Sequence, residues 1–447
     1  MNIRRSTVAN NFVLRGSVAR KSSVFDFLPL VMLFAFLVLV FVGFEPFSSR
    51  SSLETRAIAT GSGDIARQLS YSFMFVVCLV LAVAKFNTKI IKVIPASVLV
   101  VLVWCLISVS WSIDPEVAFR RVMLTIIIVC TTMLSVEMVG VKSSLRILYL
   151  VSAAILIVNF VSLLFIAQAR HLPGEFDPSL VGDWRGLFFH KNIAGPFSAL
   201  SALLFFHFAS LRHKWSDWLL FVAAVVFTIG THSKTAIGFL AISFVAALFY
   251  RKSFRTDGGK RLFIICCAVV IFLAFIIALV AHEQIVDTIE SPRAFTGRGE
   301  IWKIVIAYVR ERPILGAGFG SFWQVGSVSP ALTLSADTWT ATVAHSHNGY
   351  LESLVTIGAV GLILAVIAFV IIPAKKLLSA GQSNVALNSL LFSIFVFVSL
   401  SNIFETISLN RDRPEWVVFL IGLALLHRIP NERTVIFRPM MKMRRVG

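Results

Sequence analysis

Apolar stretches long enough to cross a membrane recur along nearly the whole chain. A helix needs about 20 mainly apolar residues to cross a bilayer core. Of the 447 residues, 57% are hydrophobic and only 14% are charged, and the mean hydropathy is +0.85. Because backbone groups in lipid must find their hydrogen bonds inside the protein, such stretches form helices. The sequence therefore predicts an all-α integral membrane protein.

The apolar stretches divide the chain into about twelve predicted transmembrane helices. The spans are 27–44, 68–84, 93–111, 122–138, 147–167, 193–210, 215–230, 235–250, 262–281, 350–372, 384–403 and 414–427. The stretches 215–230 and 235–250 are separated only by GTHSK. We interpret them as two spans because together they are too long for one crossing.

The distribution of Lys and Arg predicts the orientation, because basic residues are retained on the cytoplasmic side. With the N-terminus inside, the inner segments hold 25 basic and 5 acidic residues, and the outer segments hold 16 and 18. This predicts a multi-pass protein with both termini cytoplasmic. Its parts are a tail 1–26, helices 1–9 over 27–281, an extracytoplasmic loop 282–347, helices 10–12 over 348–428 and a tail 429–447.

The charge distribution and the cysteine positions argue against a nucleic-acid-binding protein and against a disulfide-rich or cysteine-zinc protein. The net charge of +18 is scattered over short loops and tails, which is typical of a topology signal and not of a nucleic-acid surface. The basic N-terminal segment has no apolar core of its own, so no cleaved signal peptide is expected. All five cysteines lie in predicted spans, which disfavours a disulfide framework or a cysteine zinc site.

Polar residues that could carry chemistry gather on the predicted outer side, in three segments. DWRGLFFHKNIAGPF, the turn THSKT and the loop 282–347 contain the candidates. The first two supply Asp183, Arg185, His190, Lys191, Asn192, His232 and Lys234. Guanidinium and ammonium groups there suit an anionic substrate.

The long loop contains a predicted amphipathic helix followed by a glycine-rich stretch. TGRGEIWKIVIAYVRERP places apolar residues, among them Trp302, on one helical face, with Arg298 in the first turn and Pro313 after the end. ILGAGFGSFW follows. Without a preceding strand it does not predict a dinucleotide site. Either a plain turn or a close approach of backbone to a sugar would use these glycines.

The stretch AHSHNGYLE stands directly before the tenth span and concentrates polar residues. His347 is a candidate general base, since an imidazole of ordinary pKa, about 6.5, can accept a proton. Loop histidines or a chance metal chelate would explain His345 and His347 as well. Asn348 could instead be a helix N-cap, and Glu352 could pair with a basic residue.

Together these motifs resemble the O-antigen ligase and exopolysaccharide polymerase superfamily of bacterial membrane proteins. The resemblance rests on RGLFFHKNIAG, SKTA, TGRGEIW with GAGFGSFW, and HSHNGYLE, and it covers about residues 180 to 360. Members often carry Ser-Arg where this chain has Ser233-Lys234. An arginine at that position can bind a phosphate through two N–H groups, whereas Lys234 offers a single ammonium charge.

The resemblance implies a fold similar to GT-C glycosyltransferases and a reaction at the outer face of the bacterial inner membrane. A glycan would pass from polyprenyl (undecaprenyl) diphosphate to an acceptor hydroxyl without metal or other cofactor. The partners would be the lipid-linked saccharide, the growing polysaccharide, the bilayer, and chain-length regulator and export proteins, with no nucleic acid. We assign His347, Arg298 and Arg185 as catalytic, and as substrate-binding Lys191, Asn192, Lys234, His345, Asn348, Glu352 and Trp302.

The sequence is compatible with three functions. The motifs GRGEIW and GAGFGSFW favour polymerisation of lipid-linked repeat units into exopolysaccharide. The alternative within the superfamily is ligation of a lipid-linked glycan to lipid A core. A transporter is a different class, but it would be expected to carry ionisable residues near the membrane centre, whereas here the charge lies in the outer loops.

Overall fold

The computed structural model describes residues 24–48, 64–175, 178–281, 298–334, 343–411 and 413–428. Within these ranges regular structure is helical, and the β pairing is a single bridge between Arg170 and Trp184. Residues 1–23 of the predicted N-terminal tail, the predicted C-terminal tail 429–447, and the parts 282–297 and 335–342 of the predicted outer loop lie outside the described residues. Residues 24–26 of the predicted N-terminal tail belong to the first helix. The prediction of an all-α membrane protein is confirmed.

Fifteen α-helices are described in these ranges. They are α1 Val24–Val42, α2 Ile65–Phe86, α3 Ala96–Ile107, α4 Pro115–Val139, α5 Val141–Phe165, α6 Lys191–Arg212, α7 Trp215–Gly230, α8 Lys234–Ser253, α9 Asp257–Val280, α10 Arg298–Glu311, α11 Pro330–Leu334, α12 Gly349–Val366, α13 Ile372–Ser379, α14 Val385–Phe404 and α15 Pro414–Arg428. A π-helical turn, Ile367–Ile371, joins α12 to α13.

Eight helical segments have the length and composition to cross a membrane, and shorter apolar helices cover Phe27–Val42, Ala96–Trp111 and Trp215–Gly230. Each of the twelve predicted spans coincides with a helix, and 215–230 and 235–250 are indeed separate. The boundaries differ where polar caps extend a helix. For example, α4 begins well before its predicted start, because the Asp114 carboxylate accepts a hydrogen bond from the backbone N–H of Val117.

Helices α6 and α15 lie at the centre of the bundle. Nearly every residue of α15 from Pro414 to Leu426 is buried, and the helix packs against α1, α4, α5, α6 and α14. By contrast, α9 packs mainly on α8. Most of its large apolar side chains beyond Phe263 are exposed, as expected for a helix that faces lipid.

Helix α12 is interrupted at Gly358, which has a φ of 68°. The glycine-rich stretch packs against this break: Ala317 N–H donates to Val355 O at 2.8 Å, and Ala359 N–H donates to Pro313 O at 2.9 Å. From α3, Trp104 Nε1 donates to Ile357 O at 3.0 Å. The backbone groups freed by the break therefore find partners, which a membrane interior requires.

The predicted amphipathic helix is α10. Its buried face consists of Gly299, Ile301, Trp302, Ile304, Val305 and Tyr308. These side chains share an apolar cluster with Phe322 and Trp323 of the glycine-rich stretch and Val355 of α12. Packing of α10 on the bundle brings its first residue, Arg298, close to the end of α14.

Candidate active site

Glu405 is the centre of a buried polar cluster formed by segments distant in the chain. It follows the last residue of α14, and its side chain is only 2% exposed. Arg298 Nη2 lies 2.6 Å from Glu405 Oε1, and Asn192 Nδ2 donates to the same oxygen at 3.0 Å. His347 Nδ1 lies 3.3 Å from Glu405 Oε2. Arg298, Asn192 and His347, all predicted from sequence, thus meet at one carboxylate.

The charge state of Glu405 follows from these partners. Burial by itself raises the pKa of Glu405, but the hydrogen bond and charge of His347 and the charges of Arg298 and Arg413 outweigh it. The net effect holds the pKa well below that of an ordinary glutamate. Glu405 is therefore an anion at neutral pH. An anion beside Nδ1 favours the tautomer with hydrogen on Nδ1, which leaves His347 Nε2 as a proton acceptor.

Arg413 and Glu415 extend the cluster toward α15. Arg413 Nη2 lies 3.8 Å from Glu405 Oε2, and Arg413 Nε lies 3.4 Å from Glu415 Oε2. Arg413 Nη2 also donates to Asn192 O at 3.4 Å. Two arginines thus balance two buried carboxylates, which is the condition for burying charge at moderate cost.

The turn that carries His347 is held from several sides. His347 has a left-handed backbone, φ 51°, and its N–H donates to His345 Nδ1 at 3.3 Å. Trp302 Nε1 donates to Ser346 O at 3.0 Å. Asn348 is the N-cap of α12 and accepts from the N–H groups of Tyr350 and Leu351. Trp302 and Asn348, predicted as substrate-binding, therefore fix the histidine turn in this structure.

Glu352 is buried beneath the same turn. Its Oε2 accepts from Ser346 N–H at 2.8 Å and from Trp323 Nε1 at 2.9 Å. Arg121 of α4, in turn, donates to the carbonyl groups of Gly320, Trp323 and Gln324. Glu352 thus connects the glycine-rich stretch to the histidine turn. Its hydrogen-bond partners are Ser346 and Trp323 and not the basic residue expected from the sequence.

A second polar cluster lies at the start of α6 and α8. Asp183 Oδ2 lies 2.5 Å from Lys191 Nζ, and Asp183 Oδ1 lies 2.5 Å from His232 Nδ1. The side chain of His232 is 67% exposed. Lys234, at the first position of α8, is also exposed.

Arg185 lies inside the loop before α6 and is 0% exposed. Its Nε donates to Gln168 O at 2.7 Å, its Nη1 donates to Phe189 O at 3.0 Å, and its Nη2 lies 3.2 Å from Glu175 Oε1. In this structure its guanidinium stabilises the loop and does not reach solvent. A direct contact with a lipid-borne diphosphate would require the loop to move.

His171 supports the same loop. Burial lowers the pKa of His171, although its hydrogen bond with Glu175 opposes this. The neutral ring agrees with its contacts: Nδ1 lies 2.5 Å from Glu175 Oε2, and Nε2 accepts from Lys191 N–H at 3.2 Å. The loop thereby orients Lys191 toward Asp183.

A cavity of about 940 Å³ opens beside the Glu405 cluster. It lies between the ends of α1 and α2, the N-terminal part of α4, the glycine-rich stretch and the connection before α15. Its charged and imidazole lining consists of Glu45, Asp64, Arg67, Arg121, His345, Glu352, Arg411 and Arg413. Of the two histidines, His345 lines the cavity, whereas His347 directs Nδ1 at Glu405. Such a volume with a few polar groups suits a saccharide-sized ligand.

Glu405, Arg413, Glu415 and Arg121 were not predicted as site residues. Each lies at or beside the end of a predicted apolar span, where charge is expected, and so they did not stand out. A usable signal was present in FETISLNRDRPEW, a polar connection between two apolar spans that contains both Glu405 and Arg413. In the part of the chain that is described, no group of three or more His, Cys, Asp or Glu side chains is arranged to hold a metal ion.

Comparison with known proteins gives one family. Residues 219–366 match the family model described as O-antigen ligase. The segment includes Lys234, Arg298, Trp302, the histidine turn and Glu352, and it excludes the Asn192 and Glu405 sides of the site. The resemblance inferred from the sequence is confirmed over this segment. No curated protein matches the chain.

Proposed function

We propose that this member of the O-antigen ligase superfamily polymerises polyprenyl-diphosphate-linked oligosaccharide units into exopolysaccharide at the outer face of a bacterial inner membrane. The observation that carries the proposal is the His347–Glu405–Arg298 cluster, in which a buried anion orients an imidazole. The cluster adjoins a large cavity lined by His345, Glu352 and Arg413. An oriented imidazole is what activation of a sugar hydroxyl requires. The family match covers His347 and Arg298.

In the proposed reaction the acceptor hydroxyl attacks the anomeric carbon of the lipid-linked sugar. Its proton passes to His347 Nε2, while Glu405 stabilises the imidazolium that forms. The bond between the anomeric carbon and the diphosphate oxygen breaks, and the electron pair stays on the diphosphate. Because the diphosphate is already a good leaving group, positioning and charge stabilisation supply the rest. Lys191 and Lys234 are the proposed cationic contacts of the diphosphate, and Arg298 is proposed to hold Glu405 and His347 in place.

A second candidate function is ligation of a lipid-linked glycan to lipid A core, and the O-antigen ligase description of the matching family favours it. Both reactions use the same donor chemistry and differ in the acceptor. Analysis of polysaccharide and lipopolysaccharide in a deletion strain separates them. Loss of exopolysaccharide with intact lipopolysaccharide supports polymerisation, and loss of O-antigen from lipopolysaccharide supports ligation. Normal glycans of both kinds would contradict both.

The transfer is proposed to need no metal ion, since cationic side chains surround the site. We expect purified protein to retain transfer activity in excess EDTA, because guanidinium and ammonium groups neutralise the diphosphate. The measurement is product formation from a lipid-linked saccharide with and without EDTA. Activity lost in EDTA and recovered with magnesium or manganese would refute this part of the proposal.

A further inference from the structure

His232 and Asp183 form a second histidine–carboxylate pair next to the first. His232 Nδ1 lies 2.5 Å from Asp183 Oδ1, and Lys191 holds the other carboxylate oxygen at 2.5 Å. With Nδ1 engaged, the remaining ring nitrogen, Nε2, belongs to a side chain that is 67% exposed. A buried carboxylate therefore holds an exposed imidazole in one orientation, which favours contact with a ligand over packing.

The two pairs are connected through consecutive residues at the start of α6. Lys191 binds the carboxylate of Asp183, and Asn192 binds the carboxylate of Glu405. Consecutive Cα atoms are about 3.8 Å apart, so one helical turn anchors both pairs.

The balance of charge differs between the two pairs. Around Glu405, two arginines face two carboxylates, Glu405 and Glu415. Around Asp183, Lys191 and His232 pair with the carboxylate, and among the described residues the exposed Lys234 forms no salt bridge. The N-terminus of α8, a helix of 20 residues, also begins at Lys234 and adds positive potential.

We infer that His232 binds the diphosphate of the lipid-linked donor as an imidazolium and stabilises it as it leaves, with Nδ1–H donating to Asp183 and Nε2–H donating to a phosphate oxygen. In this arrangement the leaving diphosphate lies beside the His232–Asp183 pair. The proton of the acceptor hydroxyl passes to His347, which Glu405 holds. Arg298 then acts by holding Glu405 and His347 in place. The inference rests on the proposed function, because that function supplies the diphosphate.

The test is binding of farnesyl diphosphate to the purified full-length protein in detergent, measured by calorimetry. His232→Gln keeps a polar side chain but removes the ring and its charge. We expect it to weaken binding about tenfold or more, the effect typical of losing a charge-assisted hydrogen bond. His213→Gln is the matched control. His213 is also an exposed histidine with a left-handed backbone, but it lies at the opposite end of α6.

Farnesol has the prenyl chain without phosphate. Its binding therefore shows whether a substitution removes a contact with the diphosphate or distorts the site that binds the prenyl chain. The inference predicts that His232→Gln leaves farnesol binding unchanged. It is overturned if His232→Gln binds farnesyl diphosphate as tightly as the unsubstituted protein, if His213→Gln weakens binding equally, or if both ligands are weakened alike. If the unsubstituted protein does not bind farnesyl diphosphate at all, the proposed function itself fails, and this inference fails with it.

Discussion

Glu405 shows how one buried carboxylate determines the geometry of the candidate site. It holds Arg298 from α10, Asn192 from α6 and His347 from the turn before α12. Local sequence predicted those three as candidates because each is a polar residue at the start of a helix. The polar connection FETISLNRDRPEW marked Glu405 only as one of several charged residues, because its partners are determined by the packing of α10 and α15 around the end of α14.

Replacement of Glu405 by Gln is expected to destabilise the protein by several kcal/mol, because two arginines lose their buried partner. The pH dependence follows from the lowered pKa of Glu405. A group with a depressed pKa in the folded state contributes stability above its unfolded pKa, about 4.5, and loses it as the pH falls further.

Thermal unfolding in detergent measures this effect. The gap in Tm between the unsubstituted protein and Glu405→Gln should persist from pH 8 to pH 5 and shrink only below about pH 4.5. Glu300→Gln, which removes a carboxylate from the first turn of α10 outside this cluster, is the control and should show a smaller gap. A gap that closes already between pH 7 and pH 5 would contradict the assignment.

His347→Ala should leave an inserted, stable protein with transfer reduced about 10²- to 10⁴-fold, the usual effect of losing a general base. His345→Ala should be milder, because its Nδ1 accepts a backbone N–H and water can replace that acceptor. The measurement is glycan chain length in cells with matched expression. Normal polymer from His347→Ala with defective polymer from His345→Ala would identify His345 as the base, and normal polymer from both would refute a catalytic role.

At the scale of elements, the break in α12 and the glycine-rich stretch form one unit. Gly358 has a φ of 68°, and a Cβ there would lie 1.9 Å from Ile314 O. Gly316 and Gly318 also have positive φ, and a Cβ on either would approach Val355 O or Ser112. The glycines therefore allow close contact between protein segments, which agrees with the plain-turn interpretation.

Gly358→Ala is expected to destabilise the protein by on the order of 3 kcal/mol or more, because both the backbone conformation and the contact with Ile314 are unfavourable. Gly238→Ala in α8 is the matched control, since nothing lies within 4 Å of its added Cβ. Unfolding temperatures in detergent test both. If both substitutions lower the unfolding temperature equally and only slightly, the break in α12 does not require glycine at position 358.

The helices at the twelve predicted spans and α10 could be predicted because hydropathy and helical periodicity are local properties of the sequence. The break at Gly358 could not, because a glycine in an apolar run is also common in unbroken membrane helices. Only the contacts of Ala317 and Trp104 with its freed carbonyl groups identify the position. The short α3, which ends in a 3₁₀ turn at Ser108–Trp111, was likewise hidden by continuous hydropathy.

At the scale of the whole molecule, the candidate site gathers one set of helix ends. The starts of α6, α12 and α15 meet the end of α14, and the start of α8 contacts the loop before α6. The basic residues Arg251 and Lys252 lie at the other end of α8. The two ends of the bundle thus match the inner and outer segments that were predicted from the distribution of basic and acidic residues. We therefore expect the site to be extracytoplasmic.

Reporter fusions measure the sidedness. An alkaline phosphatase fusion at Ser327 should be active, and one at Gly258 should be inactive, because the enzyme folds only outside the cytoplasm and basic loops stay inside. A β-galactosidase fusion at each position is the control and should give the opposite result. The reverse pattern in both reporters would place the site in the cytoplasm and remove the basis for the proposed function.

The position of α15 also bears on how the protein is made. A ribosome produces the chain from its amino end, so the helices that surround α15 are synthesised before it. They cannot close around their final centre until Pro414–Arg428 has joined them. Arg413 and Glu415 arrive with that helix. The nascent protein therefore lacks a complete polar cluster at Glu405 until α15 has been translated. A translation product that ends before α15 would contain residues 219–366, which match the family model, but not Arg413 and Glu415.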